Sequence, residues 1–217
     1  MNRRTARRAP GLEQERALHS QGYTLIAGID EAGRGAWAGP VCAAAVILPL
    51  ERADLGDALD GVTDSKLLTP RRRETLVEVV RGVALAVGVG WASATEIDVL
   101  GIVPATRLAM ERAVESLSPA PQALLLDYIA LPDVDLPQQS LPKADLHCLS
   151  VAAASVVAKV SRDRWLIELD QQFPGYGFAR HKGYGTAVHR SALEELGPSP
   201  VHRMSWEPLR ALGKKAK

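Results

Sequence analysis

Residues 24–48 read TLIAGIDEAGRGAWAGPVCAAAVIL, and this stretch sets the architecture expected for the chain. Residues 24–29 are apolar and rich in β-formers, and they end in Asp30-Glu31. Residues 40–48 are a second apolar run, bounded by Gly39-Pro40 and Pro49, so both runs read as strands. A glycine-rich turn, residues 32–39, lies between them. Within it, Gly33-Arg34-Gly35-Ala36-Trp37-Ala38 formally matches the G-x-G-x-x-G/A pattern of a dinucleotide-binding turn. That pattern must open a helix, but here it runs into Gly39-Pro40 and another strand. Two acids just upstream would also repel a pyrophosphate. Two readings remain: a loop whose bare backbone closely approaches a ligand, because glycine has no Cβ, or a structural turn with a solvated Arg34.

Residues 83–91 alternate loosely and read as a third strand. Three strands joined by short turns predict an antiparallel meander. Residues 93–117 then carry apolar positions at helical spacing, with a break near Gly101 to Pro104. ALLLDYI, residues 123–129, is a short apolar run between prolines and reads as a buried strand. Residues 149–171 form the clearest helix in the chain. Residues 11–21 and 191–196 read as short helices, and residues 173–185 as loop. Strands first, then alternating helix and strand, then helices imply a mixed sheet with helices on its faces.

Composition excludes several classes. The 217 residues carry 26 Lys+Arg against 25 Asp+Glu, a net charge of +1. The basic residues are unevenly placed. Arg3, Arg4, Arg7 and Arg8 in residues 1–10, and Arg210, Lys214, Lys215 and Lys217 in residues 210–217, have no acid among them. Both tails are therefore basic and the body between them is net acidic. With 47% hydrophobic residues the chain can bury a core, and with 5% aromatics that core is built mostly from Ala, Val, Leu and Ile. The longest apolar run, residues 41–50, falls short of the ~20 residues a bilayer requires. The N-terminal arginines precede no apolar segment, so no secretory signal is expected. Cys42 and Cys148 form no CxxC, so neither a disulfide scaffold nor a zinc site is expected, and a reducing, cytoplasmic setting fits.

Four acids stand out. Asp30 and Glu31 end a strand, Asp127 interrupts LLLDYI, and Asp145 precedes the long helix. A carboxylate beside a buried strand is unfavourable unless it is paired, hydrogen-bonded or metal-bound. Clustered carboxylates repel one another, and a divalent cation resolves that. Oxygen ligands without His or Cys favour Mg²⁺ or Mn²⁺. Each acid also has a simpler reading. Asp145 fits a helix cap, Asp127 a hydrogen-bonded strand end, and Asp30-Glu31 a turn. Adjacent strand residues face opposite sides, so Asp30 and Glu31 share one site only if the strand ends there. Ser65 and Lys66 in Asp64-Ser65-Lys66 suit phosphate contact if they face the acids, whereas Arg71-Arg72-Arg73 reads as a solvated helix start. Residues 171–193 hold Arg180, Lys182 and Arg190 without an acid, together with Tyr176, Phe178, His181, Tyr184 and His189. Such a mixture suits sugar stacking and phosphate contacts, or an irregular surface loop.

The order IDEAGRG…GP, DSK, LLLD, KAD…AAASVVAKVSRD, HKGYGT and PVHRMSW resembles type 2 ribonuclease H, the prokaryotic ribonuclease HII family, over about residues 24–206. The resemblance implies an α/β, ribonuclease H-like fold: a mixed five-stranded sheet flanked by helices, with a helical C-terminal extension. It implies a basic arm and short helix over residues 1–22, a catalytic domain over 23–172, a substrate-binding loop and helical segment over 173–209, and a basic tail over 210–217. By motif, Asp30, Glu31, Asp127 and Asp145 would bind two Mg²⁺ or Mn²⁺ ions. Gly33, Arg34 and Gly35 would sense a ribose 2′-OH at an RNA–DNA junction, and Tyr184 would pack on the next deoxyribose. Lys66 matches a phosphate contact, with Ser65 and Lys182 as further substrate-binding residues. The family's third aspartate is usually followed by glycine; here Tyr128 follows. The expected activity is hydrolysis of the RNA strand of RNA–DNA hybrids and cutting 5′ of single ribonucleotides in duplex DNA, in a cytoplasmic monomer with no inferable protein partner. Two other readings are a nucleic-acid-binding module without catalysis and another metal nuclease of the same fold. The four acids argue against the first. The glycine-arginine-glycine and HKGYGT elements argue against the second, because a DNA-only nuclease needs no 2′-OH reader. The sister type III enzymes carry an extra N-terminal domain, and only some two dozen residues precede the first strand here.

Overall fold

The computed structural model describes residues 9–207 and 209–211. Residues 1–8 of the expected basic arm and 212–217 of the expected tail lie outside the described residues. In chain order the elements are α1 (Glu13–His19), β1 (Ile26–Ala32), β2 (Val41–Ile47), α2 (Leu55–Ala58), α3 (Pro70–Val83), β3 (Ala86–Ala92), α4 (Ala94–Leu100), α5 (Ile102–Glu115), β4 (Ala123–Asp127), β5 (Gln138–Leu141), α6 (Leu149–Gln172), α7 (Phe178–His181) and α8 (Ala187–Leu196). Two 3₁₀ turns, Ser65–Leu67 and Ala144–Leu146, complete the set.

The sheet order is β3-β2-β1-β4-β5. β1–β2 and β2–β3 are antiparallel, whereas β1–β4 and β4–β5 are parallel. The mixed five-stranded sheet is thus as expected, and so is the antiparallel order of its first three strands. The short β2–β3 turn is not. Residues 48–85 make that connection and contain α2, a 3₁₀ turn and α3. α3 starts with Thr69 as N-cap and Pro70 in its first turn, and it runs through Val83, so β3 begins only at Ala86.

Both faces of the sheet are covered, which explains why β2 is a continuous apolar run. Ala44 and Val46 pack with Val77 and Val80 of α3 and with Ala152–Ala154 and Val156 of α6. Ala43, Ala45 and Ile47 pack on the other face with Ala109, Met110 and Ala113 of α5. α6 lies so close to β1 that a Cβ on Gly28 would stand 2.3 Å from the Ser150 carbonyl carbon. The helical break falls at Gly101 (φ 85°), and a Ser93–Glu96 capping box starts α4.

The start of α6 corrects one reading. Its N-cap position is Cys148, and Asp145 sits in the preceding 3₁₀ turn, so Asp145 is not the helix cap. The helix start is instead met from α1. Glu15, buried, accepts hydrogen bonds from Ser150 N (2.9 Å) and Ser150 Oγ (2.7 Å). After α6, residues 173–185 include the helical turn α7, and α8 begins at Ala187 with Thr186 as its cap, earlier than the sequence pattern suggests.

Candidate active site

The parallel β1–β4 ladder ends at the pair Ile29↔Leu126. The next residues along the two strands are Asp30 and Asp127, at the carboxyl ends of neighbouring parallel strands, where open α/β sheets place their ligands. β1 does not stop there. It continues to Ala32 against β2 alone, pairing Asp30 with Ala44 and Glu31 with Ala43. Its β4 side is open from Asp30 onward, and this lets both acids stand over the same edge.

Hydrogen bonds fix the surroundings. Asp30 Oδ1 accepts from Glu31 N at 2.7 Å. Asp127 Oδ1 accepts from Ala144 N at 2.9 Å, which ties the 3₁₀ turn carrying Asp145 to the end of β4. Arg34 Nη1 lies 3.3 Å from Glu31 Oε1. Lys66 Nζ lies 3.8 Å from Asp64 Oδ1 and also approaches Asp145. Ser65 is buried, and its hydroxyl accepts from Ser155 Oγ of α6 at 3.0 Å.

Charge is concentrated here at low solvent access: Asp30 is 2% and Asp145 4% exposed. Burial first, and then the charge of Glu31, push the Asp30 carboxyl well above the ordinary range. Burial raises Glu31 as well, with Arg34 offsetting part of the effect. Burial and the charges of Asp64 and Asp127 lift Asp145 to about 6. Asp30 Oδ2 and Glu31 Oε2 are buried without any hydrogen-bond partner among the described residues. Orphaned carboxylate oxygens, raised chiefly by burial and further by neighbouring carboxylates, are what a divalent cation would satisfy, and the all-oxygen donor set suits a hard ion. Among the described residues no three His, Cys, Asp or Glu side chains converge closely enough to enclose an ion by themselves. That is compatible with Mg²⁺, which is commonly held by one or two carboxylates together with waters and substrate phosphate.

Of the remaining expected residues, only Arg34 contacts one of the four acids. Gly33, Arg34 and Gly35 follow β1 directly. Tyr184 is 36% exposed, and the Arg162 guanidinium lies 5.6 Å and Lys159 Nζ 5.7 Å from its ring centre. Lys182 does not face the acids: its Nζ donates to Ala179 O, and it lines a cleft of about 210 Å³ with Arg73, Lys159, Asp163 and Arg180. A groove of about 720 Å³ runs past Gly11, Asp60, Thr63, Leu67 and His147, and none of the four carboxylates lines it.

Sequence reasoning missed three groups. Asp64 was legible in DSK as a motif but not as a neighbour of Asp145. Ser155 was hidden in an apolar helix. Arg162 and Arg203 lie within the motifs AAASVVAKVSRD and PVHRMSW, but nothing local marks them as buried, because their partners lie far along the chain.

No helix among the described residues is long and apolar enough to cross a membrane. The sequence matches the family model described as Ribonuclease HII over residues 27–209. It is 50% identical over 203 residues to Ribonuclease HII of Dehalococcoides mccartyi (strain ATCC BAA-2266 / KCTC 15142 / 195), covering 94% of this chain and 95% of that one. It is 53% identical over 200 residues to Ribonuclease HII of Roseiflexus castenholzii, covering 92% and 89%. Among solved structures, the ribonuclease H2 from Pyrococcus horikoshii OT3 superposes with a TM-score of 0.73 at 28% identity, covering 88% of this chain and 98% of that one. With a sheet of ribonuclease H type and relatives matched almost end to end, the chain belongs to the ribonuclease HII family and is a hydrolase of the type 2 ribonuclease H class.

Proposed function

We propose that this chain, an endoribonuclease of RNA–DNA hybrids by its family, also cuts 5′ of single ribonucleotides embedded in duplex DNA, leaving 3′-hydroxyl and 5′-phosphate ends and so serving ribonucleotide removal. The observation that carries the reading is the pair of orphaned, buried oxygens, Asp30 Oδ2 and Glu31 Oε2, at the open edge shared with Asp127. Asp30, Glu31, Asp127 and Asp145 would hold two Mg²⁺ or Mn²⁺ ions. When bound, such ions supply an activated water and charge stabilisation at the leaving 3′ oxygen.

The other steps belong to the chain. Lys66, held beside Asp145 and largely exposed, takes a phosphate of the scissile strand, and buried Ser65 braces its turn. Lys182, on its cleft with Arg73, Lys159 and Arg180, takes a phosphate further along. Gly33, Arg34 and Gly35 bring backbone against the ribose, where the 2′-OH distinguishes RNA from DNA. Tyr184 packs on the following sugar and rejects a misplaced junction. One chain supplies every group, so a monomer suffices, and the two buried free cysteines fit a reducing cytoplasm.

The test is a DNA duplex carrying one ribonucleotide, incubated with and without Mg²⁺ or Mn²⁺ beside an all-DNA control. Ion-dependent cutting 5′ of the ribonucleotide alone is expected. Cutting of the control points to a DNA nuclease, and an intact chimera removes the reading. Tyr184→Ala should reduce cutting of the chimera more than cutting of a long hybrid.

A further inference from the structure

Arg162 of α6 and Arg203, which follows α8, are fully buried, and among the described residues neither is paired with a carboxylate. A buried cation without a counter-ion is costly, and hydrogen bonds must offset its lost hydration. Here the acceptors are all backbone carbonyls. Arg203 donates from Nε to Gly39 O (3.0 Å), from Nη1 to Arg34 O (2.7 Å) and from Nη2 to Gly33 O (2.7 Å). Arg162 donates from Nε to Pro40 O (2.8 Å), from Nη2 to Ala38 O (3.1 Å) and from Nη1 to Lys182 O (2.9 Å). Five of these carbonyls belong to the loop between β1 and β2, and the sixth belongs to the loop that carries Tyr184.

The two loops also touch directly. Trp37 N and Ala38 N donate to Gly183 O at 2.8 and 3.2 Å. A Cβ on Gly183 would stand 2.4 Å from Ala38 O, and one on Gly33 (φ 95°) would stand 1.9 Å from Arg162 Nε. Glycine at both positions is therefore a condition of the contact. The Arg162 guanidinium lies against the Tyr184 ring, and that of Arg203 lies 5.5 Å from the Trp206 ring centre. Burial, and then the charge of Arg162, pull Arg203 down to about 9, so it remains a cation at neutral pH.

The peptide unit explains what this achieves. A trans peptide points its N–H opposite to its C=O. With Gly33 O and Arg34 O turned inward onto Arg203, the N–H groups of Arg34 and Gly35 are directed away from it. Neither has a partner among the described residues. Two adjacent donors of fixed direction are thereby presented in the residues that follow β1.

We propose that Arg203 and Arg162 are positioning residues for ribonucleotide discrimination: they aim the Arg34 and Gly35 amides and set the spacing between that loop and Tyr184. The inference rests on the proposed reading of ribonucleotide-containing duplexes. A long hybrid offers a 2′-OH at every position and tolerates a displaced reader. A single ribonucleotide offers only one register. The discriminating quantity is therefore the ratio of the two activities, which a purely structural loss leaves unchanged.

Arg203→Lys keeps the charge, but one ammonium cannot span three carbonyls. With a cooperative melt retained, its kcat/KM on the single-ribonucleotide duplex should fall at least about tenfold further than on a long hybrid. Trp206→Leu removes the ring beside Arg203 and should shift the ratio the same way by less. Equal proportional losses on both substrates, or no loss on either, would overturn the inference while wild type still cuts the chimera. If Arg203→Lys does not fold, Trp206→Leu decides alone: a shifted ratio supports the role and an unchanged ratio ends it. A wild-type protein that leaves the chimera intact removes the functional reading itself and this inference with it.

Discussion

Lys66 Nζ stands 3.9 Å from Asp145 Oδ2. Burial pulls the ammonium down, but the carboxylates of Asp64, Asp30, Asp145 and Asp127 together outweigh that and raise it. A cation firmly charged beside the acids can meet a phosphate that would otherwise be repelled. Lys66→Ala should raise KM for nucleic acid more than it lowers kcat. It should also reduce the slope of log affinity against log salt by about 1. Unchanged KM and slope would exclude a phosphate contact.

Asp30 carries the other half of the argument. Asp30→Asn removes one of the repelling charges and should abolish most activity without lowering the melting temperature of the metal-free protein. Mg²⁺ or Mn²⁺ should raise the melting temperature of the wild type, by the equivalent of about 2.7 kcal/mol at a hundredfold excess over Kd. The substitution should remove most of that shift. An equal shift in both proteins would show that Asp30 is not a ligand.

Acid should loosen the C-terminal part through a defined proton chain. Ser199 N donates to His202 Nδ1, so His202 carries its proton on Nε2 and donates it to His189 Nε2 at 2.9 Å; His189 Nδ1 then donates to Tyr184 O. Burial holds both rings down to about 4. His181 stacks on His189 at 4.3 Å and feels both Asp170, which favours its protonation, and Lys182, which opposes it; Arg190 lies over the Trp37 ring beside His189. The folded pKa lies below the unfolded value, so this stability is present above about pH 6.5 and is lost as pH falls toward 4. Each ring contributes on the order of 3 kcal/mol. Melting curves between pH 7 and 4 should show the loss, and His202→Gln should flatten it. A slope unaltered by that change would exclude the pair as its source.

Tyr128 occupies a position that suits glycine better. Its φ is 65° and it is 71% exposed, so it bears left-handed strain with little packing in return. Tyr128→Gly should raise stability by up to about 1 kcal/mol in a denaturant titration. A clear loss would mean that the ring has a partner in solution.

Legibility in the sequence followed burial. β1, β2, β4 and the first half of α6 are readable because they are buried and therefore mostly apolar. β5, QQSL, lies at the sheet edge, half-exposed and polar, and had no pattern to show. The β2–β3 connection does not read as helical because only Ala84 and Leu85 separate α3 from β3, so Val83 at the end of the helix runs on into the apolar strand. In the site, the four carboxylates stood out because charge beside an apolar run is conspicuous. Asp64 did not, because its neighbour Asp145 is remote in sequence. Arg162 and Arg203 look like ordinary surface arginines until the carbonyls around them are known.

Glu15 and Ser150 are 135 positions apart. At usual rates of synthesis, the ribosome needs on the order of ten seconds to extend the chain from one to the other. Until then α1 has no partner for its buried carboxylate, although β4, the parallel partner of β1, is made some twenty residues sooner. Asp30 and Glu31 are made well before Asp127 and Asp145. A chain that stops short of residue 123 lacks β4 and β5, and one that stops short of residue 145 lacks Asp145. The closing of α1 onto α6 thus waits on a segment 135 positions downstream.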